Sequence, residues 1–347
     1  MPDLNAVAQA LVAEGKGILA ADESAPTIKK RFDSISIEST EANRRAYREL
    51  LFTAPGVGDF ISGVILFDET LRQQAADGTP FAKVLEDLGV IPGIKVDAGA
   101  KPLAGAPGEK ITEGLDGLRE RLGEYYDLGA RFTKWRAVIT IGMGDGLPTP
   151  NCIDANAEAL ARYAAMSQEA GLVPIVEPEV LMDGDHTIER CSEVTEATLH
   201  SVFRSLHRQG VVLEDMLLKP NMVISGASCP QQADVETVAA QTVRCLRRTV
   251  PAAVPGIVFL SGGQSNEKAT AHLNAMNRPG AAVNPWQLSF SYGRALQEPP
   301  LTAWRGETAN VEKAQGAFHH RARLNGAARS GTYRVAMENE LVGVSPG

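Results

Sequence analysis

Val173-Pro-Ile-Val-Glu-Pro-Glu179 (VPIVEPE) is an apolar run of strand length that ends in two carboxylates, Glu177 and Glu179, two residues apart. Residues at that spacing in a strand project to the same side. In a sheet closed into a barrel with helices outside, one side of each strand faces the interior. A charged pair there is costly unless it serves something, because a buried ion loses its hydration. The plainer reading is a pair of helix-capping or salt-bridged acids just past the strand.

Working outward, similar runs recur along the chain. They are Gly17–Asp22 (GILAAD), Ile61–Phe67 (ISGVILF), Gly93–Asp97 (GIKVD), Phe132–Ala137 (FTKWRA), Met216–Pro220 (MLLKP), Gly256–Gly263 (GIVFLSGG) and Trp286–Gly293 (WQLSFSYG). Gly, Pro or polar residues bound each of them. Segments with helical spacing lie between: Glu41–Thr53, Glu113–Leu128, Asp154–Ala170, Thr187–Arg208, Gln231–Arg248 and Glu267–Met276. Regular alternation of this kind predicts an α/β chain of parallel βαβ units closed into a (β/α)8 TIM barrel. An open doubly wound sheet would carry GxGxxG after its first strand; here that strand runs into AADESAP. We expect one barrel domain over residues 1–325. Residues 326–347 read as a surface tail, and Lys101–Gly108 (KPLAGAPG) as a loop long enough to border a site.

Bulk properties narrow the function. Of the 347 residues 44% are hydrophobic and 22% charged, with a net charge of −8. That composition supports a large core and argues against a nucleic-acid binder. No run approaches the ~20 apolar residues that span a bilayer, and Met1–Ala13, an amphipathic stretch without a basic leader, does not read as a signal peptide. Cys152, Cys191, Cys229 and Cys245 form no CxxC pair, which fits a reducing, cytoplasmic setting. None of the six histidines has a metal-ligand spacing, so no metal and no cofactor are expected.

Other strand ends carry charge too. Lys134 and Arg136 share a side in FTKWRA, which turns Trp135 outward to the helix layer. On its own this pair reads almost equally well as a surface edge. Lys219 ends MLLKP before a proline stop; desolvation and nearby cations would favour its neutral amine, a nucleophile toward carbonyls. A lysine snorkelling from a strand terminus is the alternative. Lys95 and Asp97 form a further pair, and Asp22 closes the first strand, where an N-cap is the competing role. Ser261-Gly262-Gly263 and Ser291-Tyr292-Gly293-Arg294 follow the seventh and eighth runs. In a barrel, loops there commonly bind phosphate.

In order, GKGILAADES, ISGVILFDETL, GIKVD, FTKWR, IVEPE, LLKPNM, FLSGGQS and FSYGRALQ closely resemble class I (Schiff-base) fructose-bisphosphate aldolase, from about Gly15 to about Trp304. The resemblance implies reversible cleavage of fructose 1,6-bisphosphate to dihydroxyacetone phosphate and glyceraldehyde 3-phosphate through a lysine imine. Lys219 matches the imine-forming lysine. Glu177 matches the acid/base of carbinolamine dehydration, with Glu179 and Lys134 as its electrostatic partners. Asp22 matches the group that handles the C4 hydroxyl proton. Ser261, Gly262, Gly293 and Arg294 match the C1-phosphate site. Lys95, Ser24, Thr27 and Arg31 match the far end of the substrate and its C6 phosphate, and Arg136 a substrate-side arginine. The implied partner is a small sugar phosphate, with neither nucleic acid nor membrane, and the implied assembly a homo-oligomer, a tetramer by family analogy. Two positions depart from the pattern. Thr27 stands where serine is usual, and the chain ends in Gly347 where animal members end in a tyrosine that assists proton exchange. The last tyrosine here is Tyr333. Another Schiff-base barrel lyase, acting on a monophosphate, and a binding protein that has lost its chemistry are the competing readings.

Overall fold

The computed structural model describes residues 3–142, 146–280 and 283–340. Eight strands close into a parallel barrel: β1 (Gly17–Ala21), β2 (Ile61–Leu66), β3 (Ile91–Lys95), β4 (Phe132–Ile139), β5 (Val173–Val180), β6 (Leu217–Leu218), β7 (Gly256–Phe259) and β8 (Gln287–Tyr292). Each strand pairs with its sequence neighbours, and β1 closes the ring against β8. All eight expected runs are strands of this (β/α)8 TIM barrel.

Side-chain parity explains why the site sits where it does. Ile18 and Ala20 of β1, Ile65 of β2, Phe132 of β4, Val173 and Ile175 of β5, Leu217 of β6 and Val258 of β7 pack together inside the barrel. Their alternates Leu19, Val64, Val176, Leu218 and Ile257 join the outer core against the helices. Carrying the period of two onward along the strands makes Asp22, Lys134, Arg136, Glu177, Glu179 and Lys219 the next inward positions. The strands β1, β4, β5 and β6 are thus apolar at their lower ends and charged at their C-terminal ends. Trp135 has the opposite parity and stacks on Tyr163 of the helix Pro150–Glu169, with ring centroids 5.5 Å apart, as expected.

The lower mouth is plugged. Asp3 caps the helix Leu4–Leu11 by accepting from Ala6 N–H at 3.1 Å. Ala8, Leu11 and Val12 then fill the barrel from below. Burial of Leu11 and Val12 contributes roughly 1.5–3 kcal/mol each. The fill is tight: a Cβ on Gly93 would meet the Phe132 ring at 2.3 Å.

β6 is short for a physical reason. Lys219 N–H donates to Val176 O at 2.8 Å, and Pro220 then has no N–H to give. Two residues farther along β5 from Val176, Pro178 faces the same way and likewise needs no partner. At Val180 the ladder is replaced by a side chain, the N–H donating to Asn221 Oδ1 at 3.0 Å. The prolines of VPIVEPE and MLLKP are therefore compatible with central barrel strands.

Three expectations are corrected. Lys101–Gly108 is not a plain loop: Gly99–Pro102 and Lys110–Glu113 pair as an antiparallel hairpin over the barrel rim. The expected helix Glu113–Leu128 is Leu118–Asp127. Gly114 and Gly117 have φ of +126° and +63°, outside the helical region, and so hold the preceding turn. The tail does not begin at 326. The helix Val311–Arg329 runs through that boundary with Gly326, Ala328 and Arg329 buried, and Tyr333 beyond it is also in the core, so the packed unit extends past residue 326 to at least Tyr333. Residues 341–347 of the expected tail lie outside the described residues. Among the described residues no helix is long and apolar enough to cross a membrane.

Candidate active site

A cavity of about 1230 Å³ opens at the C-terminal ends of the strands. Its wall includes all fourteen residues singled out from the sequence: Asp22, Ser24, Thr27, Arg31, Lys95, Lys134, Arg136, Glu177, Glu179, Lys219, Ser261, Gly262, Gly293 and Arg294. The strand ends bring the inward charges together, while the loops after β7 and β8 and the helix Ala25–Asp33 supply the rest. Tyr333 is not in the wall. It is buried elsewhere, donating to Glu338 Oε1 at 2.7 Å.

At the centre, four side chains of alternating charge form a row. Lys219 Nζ lies 3.3 Å from Glu177 Oε1, and Glu177 Oε2 lies 3.4 Å from Lys134 Nζ. Lys134 Nζ lies 2.6 Å from Asp22 Oδ2. Both lysines and Glu177 keep only 4% of their side-chain surface exposed. The row has a tight end and a loose end. The Lys134–Asp22 contact has the length of a charge-assisted hydrogen bond, whereas the Glu177 contacts are longer and leave its Oε2 without a hydrogen-bond partner.

Charge stabilisation follows the same division. Burial alone would raise the pKa of Asp22, but the ammonium groups of Lys134, Lys219 and Lys95 outweigh it and hold the carboxyl far below its usual range. Burial alone would lower the pKa of Lys134, but Asp22, Glu177 and Asp97 reverse that and keep it protonated. Lys134 is thus a fixed cation and Asp22 a fixed anion. Lys95 is also engaged, 2.6 Å from Asp97 Oδ1 and donating to Asp97 O at 2.8 Å. Of these three strand-end lysines, Lys219 alone has no carboxylate oxygen closer than 3 Å. Arg136 forms an ion pair with Glu179, so each glutamate of VPIVEPE has its own cation.

Depressed carboxyl pKa values link the site to acid stability. Asp22 and its neighbour Glu23 are both lowered, Glu23 because Arg31 and Arg48 outweigh burial. Their stabilisation is complete above the ordinary values of 3.8 and 4.5 and is lost as the pH falls through the folded-state values. The melting temperature should therefore begin to fall as the pH drops below about 4.5 and keep falling toward the folded-state values, with Asp22 contributing on the order of 1–3 kcal/mol. Asp22→Asn should melt lower near neutrality and show a shallower acid limb by circular dichroism. Parallel limbs for the two proteins would refute the linkage.

At the loops after β7 and β8 the expected Ser261-Gly262-Gly263 turn is held by two residues to which sequence reasoning gave no role, Gln264 and His272. Gly262 and Gly263 have φ of +52° and +82°, and a Cβ on Gly263 would meet Met182 Sδ at 2.5 Å. Successive backbone N–H groups in a turn conformation can form a concave anion-binding nest. Gln264 ties this turn to Arg294: its N–H donates to Ser261 O at 3.0 Å, and its carbonyl accepts from Arg294 Nη2 at 2.9 Å. Its side chain meets buried His272 Nδ1 at 2.5 Å. Ser291, inward by parity at the end of β8, lines the cavity with its buried Oγ unpartnered. Asp97 accepts from Arg136 N–H at 3.2 Å and Gly99 N–H at 3.1 Å, fixing the rims of β3 and β4. Ser291 is legible in the run Ser291-Tyr292-Gly293-Arg294, but Gln264 has no such signal. Among the described residues no group of three His, Cys, Asp or Glu side chains is placed to hold a metal ion.

Comparison with known proteins agrees with this geometry. A family model described as fructose-bisphosphate aldolase class-I matches residues 3–344. The chain is 63% identical over 328 residues to a probable fructose-bisphosphate aldolase class 1 of Xanthomonas campestris pv. campestris, covering 94% of this chain and 97% of that one. It is 55% identical over 332 residues to a fructose-bisphosphate aldolase of Dictyostelium discoideum, covering 95% and 92%. Among solved structures, Plasmodium falciparum fructose-bisphosphate aldolase, in a ternary complex with TRAP and a small molecule inhibitor, aligns with a TM-score of 0.94. That alignment has 52% sequence identity and covers 95% of each chain. A barrel with this charged mouth, matched along nearly its whole length, belongs to the glycolytic class I fructose-bisphosphate aldolase family.

Proposed function

We propose that the chain cleaves fructose 1,6-bisphosphate to dihydroxyacetone phosphate and glyceraldehyde 3-phosphate through an imine on Lys219. The row Lys219–Glu177–Lys134–Asp22 carries this reading, because it separates one loosely held amine from two fixed charges. Lys219 passes a proton to Glu177, and the freed amine adds to the C2 carbonyl and gives a carbinolamine. Glu177, 3.3 Å away, delivers a proton to the C2 hydroxyl, and water departs. The resulting iminium is the electron sink, so the scheme needs no metal. Asp22 takes the C4 hydroxyl proton, the C3–C4 bond breaks, and its electron pair neutralises the iminium as an enamine. Glyceraldehyde 3-phosphate leaves. Protonation at C3 and hydrolysis then return the amine and dihydroxyacetone phosphate.

Lys134 holds Asp22 and Glu177 apart as an ammonium bridge, and Glu179 holds Arg136. Ser261, Gly262, Gly293 and Arg294 bind the C1 phosphate. Lys95, Ser24, Thr27 and Arg31 face the C6 end, where Ser24 Oγ and Thr27 Oγ1 lie 3.2 Å apart. Thr27 thus keeps a hydroxyl beside Ser24. By resemblance we also place the protein in the cytoplasm as a homo-oligomer.

Borohydride reduction in the presence of dihydroxyacetone phosphate, followed by peptide mapping, tests the central claim. The expected product is a single reduced adduct on Lys219. An adduct on Lys134 or Lys95, or no adduct at all, would sink it.

A further inference from the structure

Glu23 borders the cavity directly after Asp22, yet its carboxylate serves two guanidinium groups. Arg31 Nη1 lies 2.6 Å from Oε1, and Arg48 Nη2 lies 2.5 Å from Oε2. The two arginines are not equivalent. Arg31 keeps 22% of its side-chain surface exposed and lines the cavity. Arg48 keeps 3% and is not part of the wall.

Arg48 is also built in. Its Nη1 donates to Gln297 Oε1 at 3.1 Å. Gln297 Nε2 donates in turn to Glu23 Oε1 at 2.8 Å and to Ala20 O at 2.6 Å. Tyr47 Oη donates to Gln297 O at 3.1 Å. One fully buried glutamine therefore joins the end of β1, the helix Glu41–Phe52 and the helix Arg294–Trp304 around Glu23.

One carboxylate with two guanidinium groups leaves a local surplus of one positive charge. If Arg31 turns from Glu23 to an incoming phosphate, Glu23 and Arg48 remain as a neutral buried pair. Without Arg48 the same movement would strand a buried carboxylate, which is strongly unfavourable. Burial raises the Glu23 pKa but the two arginines outweigh it, so the carboxyl stays ionised.

We propose that Arg48 is a positioning residue, a reserve counter-ion that frees Arg31 from Glu23 to bind the far phosphate and so sets the preference for a bisphosphate over a 1-phosphate. The inference rests on the reading of Arg31 as a ligand of that phosphate.

Steady-state kinetics with fructose 1,6-bisphosphate and fructose 1-phosphate test it. Arg48→Met should raise KM for the bisphosphate about tenfold, while kcat and the monophosphate constants stay within about twofold. The double variant Glu23→Gln, Arg48→Met should recover most of that loss, because a neutral amide no longer captures Arg31. Arg48→Lys keeps the charge and should keep the wild-type ratio, which provides a test even if Arg48→Met does not fold. A double variant no better than Arg48→Met, equal losses on both substrates, or a bisphosphate-specific loss in Arg48→Lys would each overturn the proposal. Arg31→Met separates the two layers. If it leaves the bisphosphate KM unchanged, the far-phosphate reading falls and the inference with it. If it raises that KM while Arg48→Met does not, the inference alone falls.

Discussion

Lys219→Met is expected to abolish aldol cleavage, by roughly 10⁵-fold or more, in a protein that folds as well as the parent. The chemistry requires the loss: without the amine there is no iminium, and nothing else in the scheme accepts the C3–C4 electron pair. The folding claim follows from burial. Lys219 keeps 4% of its side-chain surface exposed and its nearest carboxylate contact is 3.3 Å. Replacing a buried charge by a well-packed apolar side chain is often neutral or stabilising. Glu177 still has Lys134 at 3.4 Å, so the substitution does not strand it. Substrate should still bind, since Arg294 and the Ser261–Gly263 turn are untouched. Three measurements check this: single-turnover cleavage, the melting temperature, and borohydride labelling, which should vanish. Cleavage within about a hundredfold of wild type, or labelling transferred to another lysine, would rule out Lys219 as the nucleophile.

Most of that site could be read from the chain because barrel strands keep a strict period. Glu177 and Glu179, Lys134 and Arg136, and the isolated Asp22 and Lys219 are legible as charges that replace the apolar residue due on the inward side. Trp135 is legible for the same reason, as the residue between. The period ends where the strand ends, and so does legibility. Gly114 and Gly117 break the helix expected from Glu113 through backbone conformation, which apolar spacing does not encode. The final helix passes Gly326 because that glycine packs where a Cβ would meet Gly15 O at 2.6 Å. That contact joins opposite ends of the chain. Gln264 acts on Arg294 through its main-chain carbonyl, so its side-chain type carries no hint of the contact. Arg48 and Gln297 are helical residues whose partners lie 25 and 277 positions away, so only the folded chain brings them together.

Asp22→Asn should separate the two halves of the reaction that Lys219→Met removes together. In the proposed scheme imine formation uses Lys219 and Glu177. Cleavage of C3–C4 also needs a base at the C4 hydroxyl, and Asp22 is the carboxylate aligned with the row. Its pKa is held far below the ordinary range by Lys134, Lys219 and Lys95. It is therefore anionic throughout the working range, but it is a weak base in the ground state. Proton transfer to it becomes favourable only as the C3–C4 electrons flow into the iminium, which ties the proton step to bond cleavage. An amide of the same shape cannot take that proton, and it surrenders the 2.6 Å ion pair with Lys134. Loss of a positioned general base costs about 10²–10⁴-fold, and the upper part of that range is expected here because water is a poor substitute at so buried a site. Trapping should survive. With fructose 1,6-bisphosphate, borohydride should fix a six-carbon adduct on Lys219 in the variant, where the wild type yields the three-carbon adduct of dihydroxyacetone phosphate. Intact-mass spectrometry distinguishes the two. A variant in which trapping falls in step with cleavage would place Asp22 in imine formation instead. One with near wild-type cleavage would remove it from the proton path.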